Sequence, residues 1–347
     1  MMSTNQADAR GRTPWFFFLF LTASLAGLVV LSSGMGYLAI SASQVVDIIA
    51  ARMSGHEAVG LPETFSYVVW DVRLPRILTA AFVGGGLAVA GVLFQAILLN
   101  PLADPYTLGV SSGAAFGACL GLLINLSFLG FCSVPLLAFG GAVATLFVVL
   151  WLASVDGRLG ANTLILSGVI VAAILSAGIG FIKHLADEQV GVIIFWLMGS
   201  FASKTWPDAA MTAAAGGFGL LIALFYGRDL NIMALGHRTS ESLGIDTAQT
   251  RRILLVCGTL VTATCVAVSG IIGFIGLITP HIMRFILGPD NRSLAPASFL
   301  AGAILLLAAD TVTRAVLPAE VPIGVLTALI GGPFFCYIFH KKQQGRG

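Results

Sequence analysis

Apolar residues in this chain occur in long unbroken runs, not in the every-second or every-fourth spacing of a half-buried strand or helix. A helix surrounded by hydrocarbon needs such runs, because an apolar layer about 30 Å thick takes roughly 20 residues per crossing. The runs predict helices over Trp15 to Leu31, Arg73 to Leu98, a third from about Thr107, then Val134 to Ala153 and Asn162 to Ile182. They continue over Asp208 to Phe225, Ile253 to Val268, Ile271 to Ile286, Ala295 to Val316 and Ile323 to Phe339, which makes ten. Between the first two, the amphipathic stretch Tyr37 to Asp71, with His56, Glu57, Pro62 and Glu63, reads as an outer loop. The prolines of Asn100-Pro101-Leu102-Ala103-Asp104-Pro105 stop a helix and mark an inner turn. A partial helix is expected within Leu185 to Trp206, carrying the interfacial aromatics Phe195, Trp196 and Trp206.

Composition agrees with a lipid-dissolved chain: of 347 residues 57% are hydrophobic and 10% charged, with a mean hydropathy of +0.96. A soluble domain is nearer a quarter charged. The fold class is therefore all-α, a polytopic transmembrane bundle of about ten helices, read as one transmembrane domain over residues 1–347. A net charge of +2 gives no reason to expect nucleic acid. With an even helix count and the N-terminus inside, Arg10, Arg12, Arg158, Arg228, Arg238, Arg251, Arg252, Arg284, Arg292, Lys341, Lys342 and Arg346 fall on the cytoplasmic side. Arg52, Arg73, Arg76, Lys183, Lys204 and Arg314 fall at the outer side. Both termini are thus expected in the cytoplasm. The opening Arg10 and Arg12 before an apolar run resemble a secretory signal, but the run is long for one and further spans follow, so a first membrane helix is preferred.

Cys119, Cys132, Cys257, Cys265 and Cys336 form no CxxC pair and read as small core residues. Gly109, Gly113, Gly117 and Gly121 recur every four residues, a stripe along which another helix backbone comes close; Gly84, Gly85, Gly86 and Gly91 do the same for the second helix. Val89-Ala90-Gly91 with Pro101 echoes Val268-Ser269-Gly270 with Pro280, and Arg76-Ile77-Leu78 echoes Arg252-Ile253-Leu254, the pattern of an inverted repeat. The longest inner polar stretch, Arg228 to Arg252, reads as two short helices, ended by Gly236 and Gly244 in left-handed conformation, with Thr239 capping the second. A folded docking element fits that punctuation better than a solvated loop. No GxxxxGK[ST] motif is present to cradle nucleotide phosphates. Acids are scarce in the spans, and Asp310 stands four residues before Arg314, placed to pair with it, which argues against a proton relay.

Several motifs in order resemble the permease family of bacterial type II ABC importers for vitamin B12, haem and ferric siderophores. They are Arg73-Leu-Pro-Arg76, Asn100-Pro-Leu-Ala-Asp-Pro-Tyr-Thr-Leu-Gly109, Ala234-Leu-Gly236, Ser242-Leu-Gly244, Gly273-Phe-Ile-Gly-Leu-Ile-Thr-Pro-His-Ile-Met-Arg284, Ala309-Asp310 and Pro322-Ile-Gly-Val325. The resemblance covers nearly the whole chain. It implies a homodimer of ten-helix subunits around a central path, two separate ABC ATPase subunits that use ATP and Mg, and an extracytoplasmic substrate-binding protein. This chain would itself bind no cofactor and catalyse nothing.

The resemblance also assigns roles. Asn231, Ala234, Leu235, Gly236, Ser242, Leu243 and Gly244 match the family's coupling helices against the ATPase. Arg73, Arg76 and Arg314 match arginines that receive acidic residues of the binding protein, where a guanidinium fork orients a carboxylate. Ala161 and Asn162 stand at the family's inner gate, departing from the hydroxyl pair expected of a vitamin B12 permease. Apart from the resemblance, Leu98 and Leu99 near the inner mouth read either as gate hydrophobes or as ordinary packing residues. Lone His56 and His184 read as interfacial residues, and His281 belongs to a motif that cannot select haem. An ion-coupled secondary transporter is the alternative, and a membrane enzyme a third, with no grouping of residues to support it.

Overall fold

The computed structural model describes residues 15–56, 60–124, 133–155, 158–317 and 320–344. Arg10, Arg12, Glu57, Cys132 and Arg346 lie outside them. The chain is almost wholly helical: α1 (Trp15–Gly34), α2 (Ala42–Met53), α3 (Glu63–Tyr67) continuing through a π turn (Val68–Arg73) into α4 (Leu74–Ile97), then a 3₁₀ turn (Pro105–Leu108), α5 (Val110–Ile124) and α6 (Ser133–Ala153). A tiny hairpin, β1 (Ser154–Val155) and β2 (Arg158–Leu159), leads to α7 (Ala161–Leu185), α8 (Val190–Leu197) and α9 (Trp206–Phe225). After these come α10 (Gly227–Met233), α11 (His237–Ser242), α12 (Thr247–Ser269), α13 (Ile275–Leu287), α14 (Asn291–Ala315) and α15 (Ile323–Gln344).

Seven of the described helices are long and apolar enough to cross a membrane, and three shorter apolar ones, Val110–Ile124, Ile275–Leu287 and Ile323–Tyr337, complete the ten expected runs. Three expectations need correction. The stretch between the first two spans is largely helical: α2, with a Ser41–Gln44 capping box, buries Val45 and Ile48 beneath Val69 and Leu74. Trp206 opens α9 instead of closing the partial helix, and stacks near Trp70 at 5.1 Å between ring centroids. Residues 270–274, apolar as they are, are not helical, so α13 starts only at Ile275.

α4 is the axis of the molecule, buried along nearly its whole length, with α9, α12, α13 and α14 around it. Its glycines allow this. A Cβ on Gly84 would strike the Gly302 carbonyl of α14, on Gly86 the Cys265 sulfur of α12, and on Gly91 the Gly276 carbonyl of α13. α14 and α12 run antiparallel to α4, since Gly84 meets Gly302 while Arg76 meets Asp310, and Gly86 meets Cys265 while Phe94 meets Gly258. In the glycine stripe, Gly113, Gly117 and Gly121 face α6, but Gly109 precedes α5 at φ +75° and packs on Gly168 of α7. Cys119, Cys257 and Cys265 are buried as expected, whereas Cys336 is exposed.

Two breaks face each other halfway along α4. The segment from Leu98 to Gly109 carries Pro105 to Gly276, and the Tyr106 hydroxyl donates to the Ile272 carbonyl at 2.9 Å. Backbone away from water must find partners inside the protein, and Ser200 N–H donating to Ser269 O at 2.8 Å supplies another. The sequence echo does not map onto like elements: Gly91 lies inside α4 while Gly270 ends α12, and Pro101 lies in a loop while Pro280 lies within α13.

Candidate functional site

The residues singled out in the sequence sort to two opposite ends of α14. Asn291 starts that helix beside α10, and Asp310 and Arg314 lie in its last turns. From Asn291 to Asp310 the helix rises about 28 Å at 1.5 Å per residue, close to the thickness of a bilayer's apolar core.

At the Asp310 end, Arg73 and Arg314 converge on the C-terminus of α1, and Arg76 lies beside them in the wall of the same cleft. The last carbonyls of a helix lack intrahelical donors, and here arginines provide them. Arg73 donates through Nη1 to Ser33 O at 2.7 Å and through Nη2 to Leu38 O at 2.6 Å. Arg314 donates to Met35 O and Ser32 O, each at 2.7 Å. Between them lies Gly36 at φ +140°, where a Cβ would come within 2.9 Å of Arg73 Nη2 and 3.1 Å of Arg314 Nη1. Asp310 does not pair with Arg314 as its i, i+4 spacing suggested. It faces Arg76 across the α4–α14 contact and accepts from Nε at 3.1–3.2 Å and from Nη2 at 2.8 Å. Arg76 Nη2 also donates to Glu320 at 2.6 Å. A cleft of about 560 Å³ opens over this cluster, with Lys204 and Asp71 in its wall besides the three arginines. Burial pushes the Lys204 ammonium down, opposed by the nearby Asp208 carboxylate.

At the Asn291 end, α10 and α11 form the two short helices expected. Gly236 and Gly244 have φ of +102° and +82°, but Gly236 itself occupies the N-cap of α11 and Thr239 lies inside that helix, so Thr239 is not the cap. Asn231 does not present its side chain outward. Its Oδ1 accepts from Asn291 N and Nδ2 at 2.9 Å, and its Nδ2 donates to Asp290 at 2.6 Å, fastening α10 to the start of α14. The outward face is made instead by Ala234, Leu235, Ser242, Leu243 and Gly244, with Leu235 64% and Leu243 59% exposed. Two large apolar side chains on an otherwise polar turn are unfavourable in water without a partner surface.

The four gate residues share this end. Leu98 is buried in the core at 3% exposure, which leaves Leu99, exposed and at φ +50°, as the one of the pair able to face a path. Ala161 and Asn162 open α7, just after the hairpin that Arg251 holds by donating to the Leu159 carbonyl. No group of three or more His, Cys, Asp or Glu that could hold a metal ion occurs among the described residues, which include His56 and His184.

A family model for the FecCD transport family matches residues 23–341. The chain belongs to that family. Among FecCD relatives, the cobalamin import system permease protein BtuC of Halobacterium salinarum is 40% identical over 284 residues, 82% of this chain and 76% of the relative. The molybdate import system permease protein MolB of Haemophilus influenzae is 36% identical, over 94% of this chain and 95% of the relative. A solved structure described as a metal-chelate type ABC transporter in an inward-facing conformation superposes with a TM-score of 0.80 at 34% identity, covering 95% of this chain and all of that one. This FecCD chain is therefore a multi-pass membrane protein of the ABC-importer permease type, and the ion-coupled alternative falls away. Sequence reasoning found the arginines but not the bonds by which Arg73 and Arg314 hold the end of α1. It missed Glu320, whose only sequence signal was its place beside the Pro322-Ile-Gly-Val325 motif.

Proposed function

We propose that this permease works as one of two identical subunits that pass a metal chelate into the cytoplasm, with ATP hydrolysed, on Mg, by two partner ATPases and cargo delivered by an extracytoplasmic binding protein. The observation that carries the proposal is the opposition of two unlike surfaces on one membrane-length helix. An exposed apolar pair, Leu235 and Leu243, stands at one end of α14 and a cationic cleft at the other. The first suits a groove in an ATPase, with Ala234, Gly236, Ser242 and Gly244 shaping the contact. The second suits a carboxylate-rich rim, with Arg76, whose partner Glu320 is itself exposed, placed to receive it. Both termini then lie in the cytoplasm, and residues 228–252 act as the coupling element of a single permease domain spanning 1–347. Leu99, Ala161 and Asn162 would close the path at the cytoplasmic end.

A third feature supports a bulky cargo held by few specific contacts. The end of α8, Ile271, Gly273 and the start of α15 line an open cleft of about 600 Å³ whose walls, such as Leu197, Met198, Val325 and Leu329, are apolar. Facing the same cleft of a second copy, it would make a passage with little chemistry to read the cargo, so selection rests with the binding protein. The similarity to a molybdate permease favours a second reading in which a small oxyanion is carried.

The test is gentle purification of the tagged chain from its own host, with its stoichiometric partners identified by mass spectrometry. A P-loop ATPase and a binding protein with an acidic rim are expected, and the ligand on the latter separates chelate from oxyanion. Uptake that survives loss of every partner ATPase and collapses with an uncoupler would sink the proposal.

A further inference from the structure

We propose that Glu320 is an internal stand-in for the docking partner: its carboxylate occupies the outward side of Arg76 and is displaced by a carboxylate of the binding protein. This rests on the docking role given to Arg76 above.

The two acids that share Arg76 are not equivalent. Asp310 is 1% exposed and receives two arms of the guanidinium, so it is a permanent neighbour. Glu320 is 47% exposed, takes a single Nη2 bond at 2.6 Å, and stands in the connection between α14 and α15. A single-armed exposed pair is weak and easily exchanged, and replacing one carboxylate by another keeps the charge of the site balanced. The other two arginines offer no such exchange, because Arg73 and Arg314 spend their Nη groups on carbonyls of the 32–38 segment.

Displacement has a mechanical consequence. Three residues beyond Glu320 the chain is fixed by Ile323 N–H donating to Gly199 O at 3.2 Å and Gly324 N–H to Met198 O at 3.0 Å, and Gly324 lines the apolar cleft. Glu320 ties this connection to α4 by its side chain. Once a partner's carboxylate takes its place on Arg76, this side-chain tie to α4 is gone, and among the described residues the backbone bonds and the buried side chain of Ile323 anchor the start of α15 at the mouth of the cleft. Docking and loosening of the mouth thus become one event.

The experiment uses the complete permease–ATPase complex in lipid nanodiscs and the binding protein recovered with it in the purification above, with affinity measured for three forms. Glu320→Gln removes the competitor and is expected to tighten docking about two- to fivefold, the range of an exposed ion pair. Arg76→Gln combined with Asp310→Asn, which avoids a stranded buried carboxylate, is expected to weaken it. Docking that is unchanged or weakened by Glu320→Gln, while the double variant also weakens it, overturns the stand-in role and leaves Arg76 as a docking residue. Affinity insensitive to both, or no binding protein to recover, overturns the docking reading itself and this inference with it.

Discussion

Arg73 shows how one side chain's role depends on geometry that its neighbours in sequence do not carry. From the sequence it is an arginine at an outer boundary, fit for docking. In the fold it is a buried clamp between carbonyls of residues 33 and 38, some 40 positions away in the chain. Nothing local in sequence announces where orphan carbonyls of another helix will end up, which is why the position was legible and the clamp was not. Arg73→Ala strands two polar groups, each at a cost of about 1–3 kcal/mol, so its melting temperature in detergent is expected to fall clearly. Arg73→Lys should fall in between, because an ammonium cannot reach both carbonyls with the geometry of the guanidinium fork. An unaltered melting temperature for Arg73→Ala would return the residue to the rim and to docking alone.

Among elements, the long spans were read directly from their apolar runs, because lipid demands the same composition at every turn of a crossing helix. The breaks were not, since hydropathy does not distinguish helix from extended chain. Ile271 and Ile272 are as apolar as any span residue, and what releases them from helix is a set of partners from elsewhere, Tyr106 and Ser200 among them. The short helices α10 and α11 are legible through their glycines, but that Asn231, expected in the ATPase contact, turns its side chain to Asn291 is not. That inward knot joins the coupling element to α14. Asn231→Ala is expected to leave the ATPase bound, since Leu235 and Leu243 are untouched, while lowering cargo moved per ATP severalfold. Transport and ATP hydrolysis that stay in proportion would show that movement passes to α14 by another route.

For the whole molecule, tight crossings around α4 set the limits of any rearrangement. A methyl at position 91 would run into the backbone of α13, whereas one at Gly140 on α6 meets nothing within 4 Å. Gly91→Ala is therefore expected to destabilise the protein by about 1–3 kcal/mol, the usual cost of overpacking, and Gly140→Ala to be neutral, both followed by thermal aggregation in detergent. Equal behaviour of the two would mean that α4 and α13 do not touch in the membrane. Such crossings favour movement of packed helices as units, and α14, tied at one end to Asn231 and at the other to Arg76, is built to move as one.

The meeting of Tyr106 with Ile272 also has a meaning in time. The two residues are 166 positions apart, and a ribosome adding about 5 to 20 residues per second needs on the order of 10 to 30 s to make the second after the first. Throughout that interval the early break already exists without its later half. The nascent chain must wait, its unpaired groups shielded by water or by the insertion machinery, before the membrane can close around it.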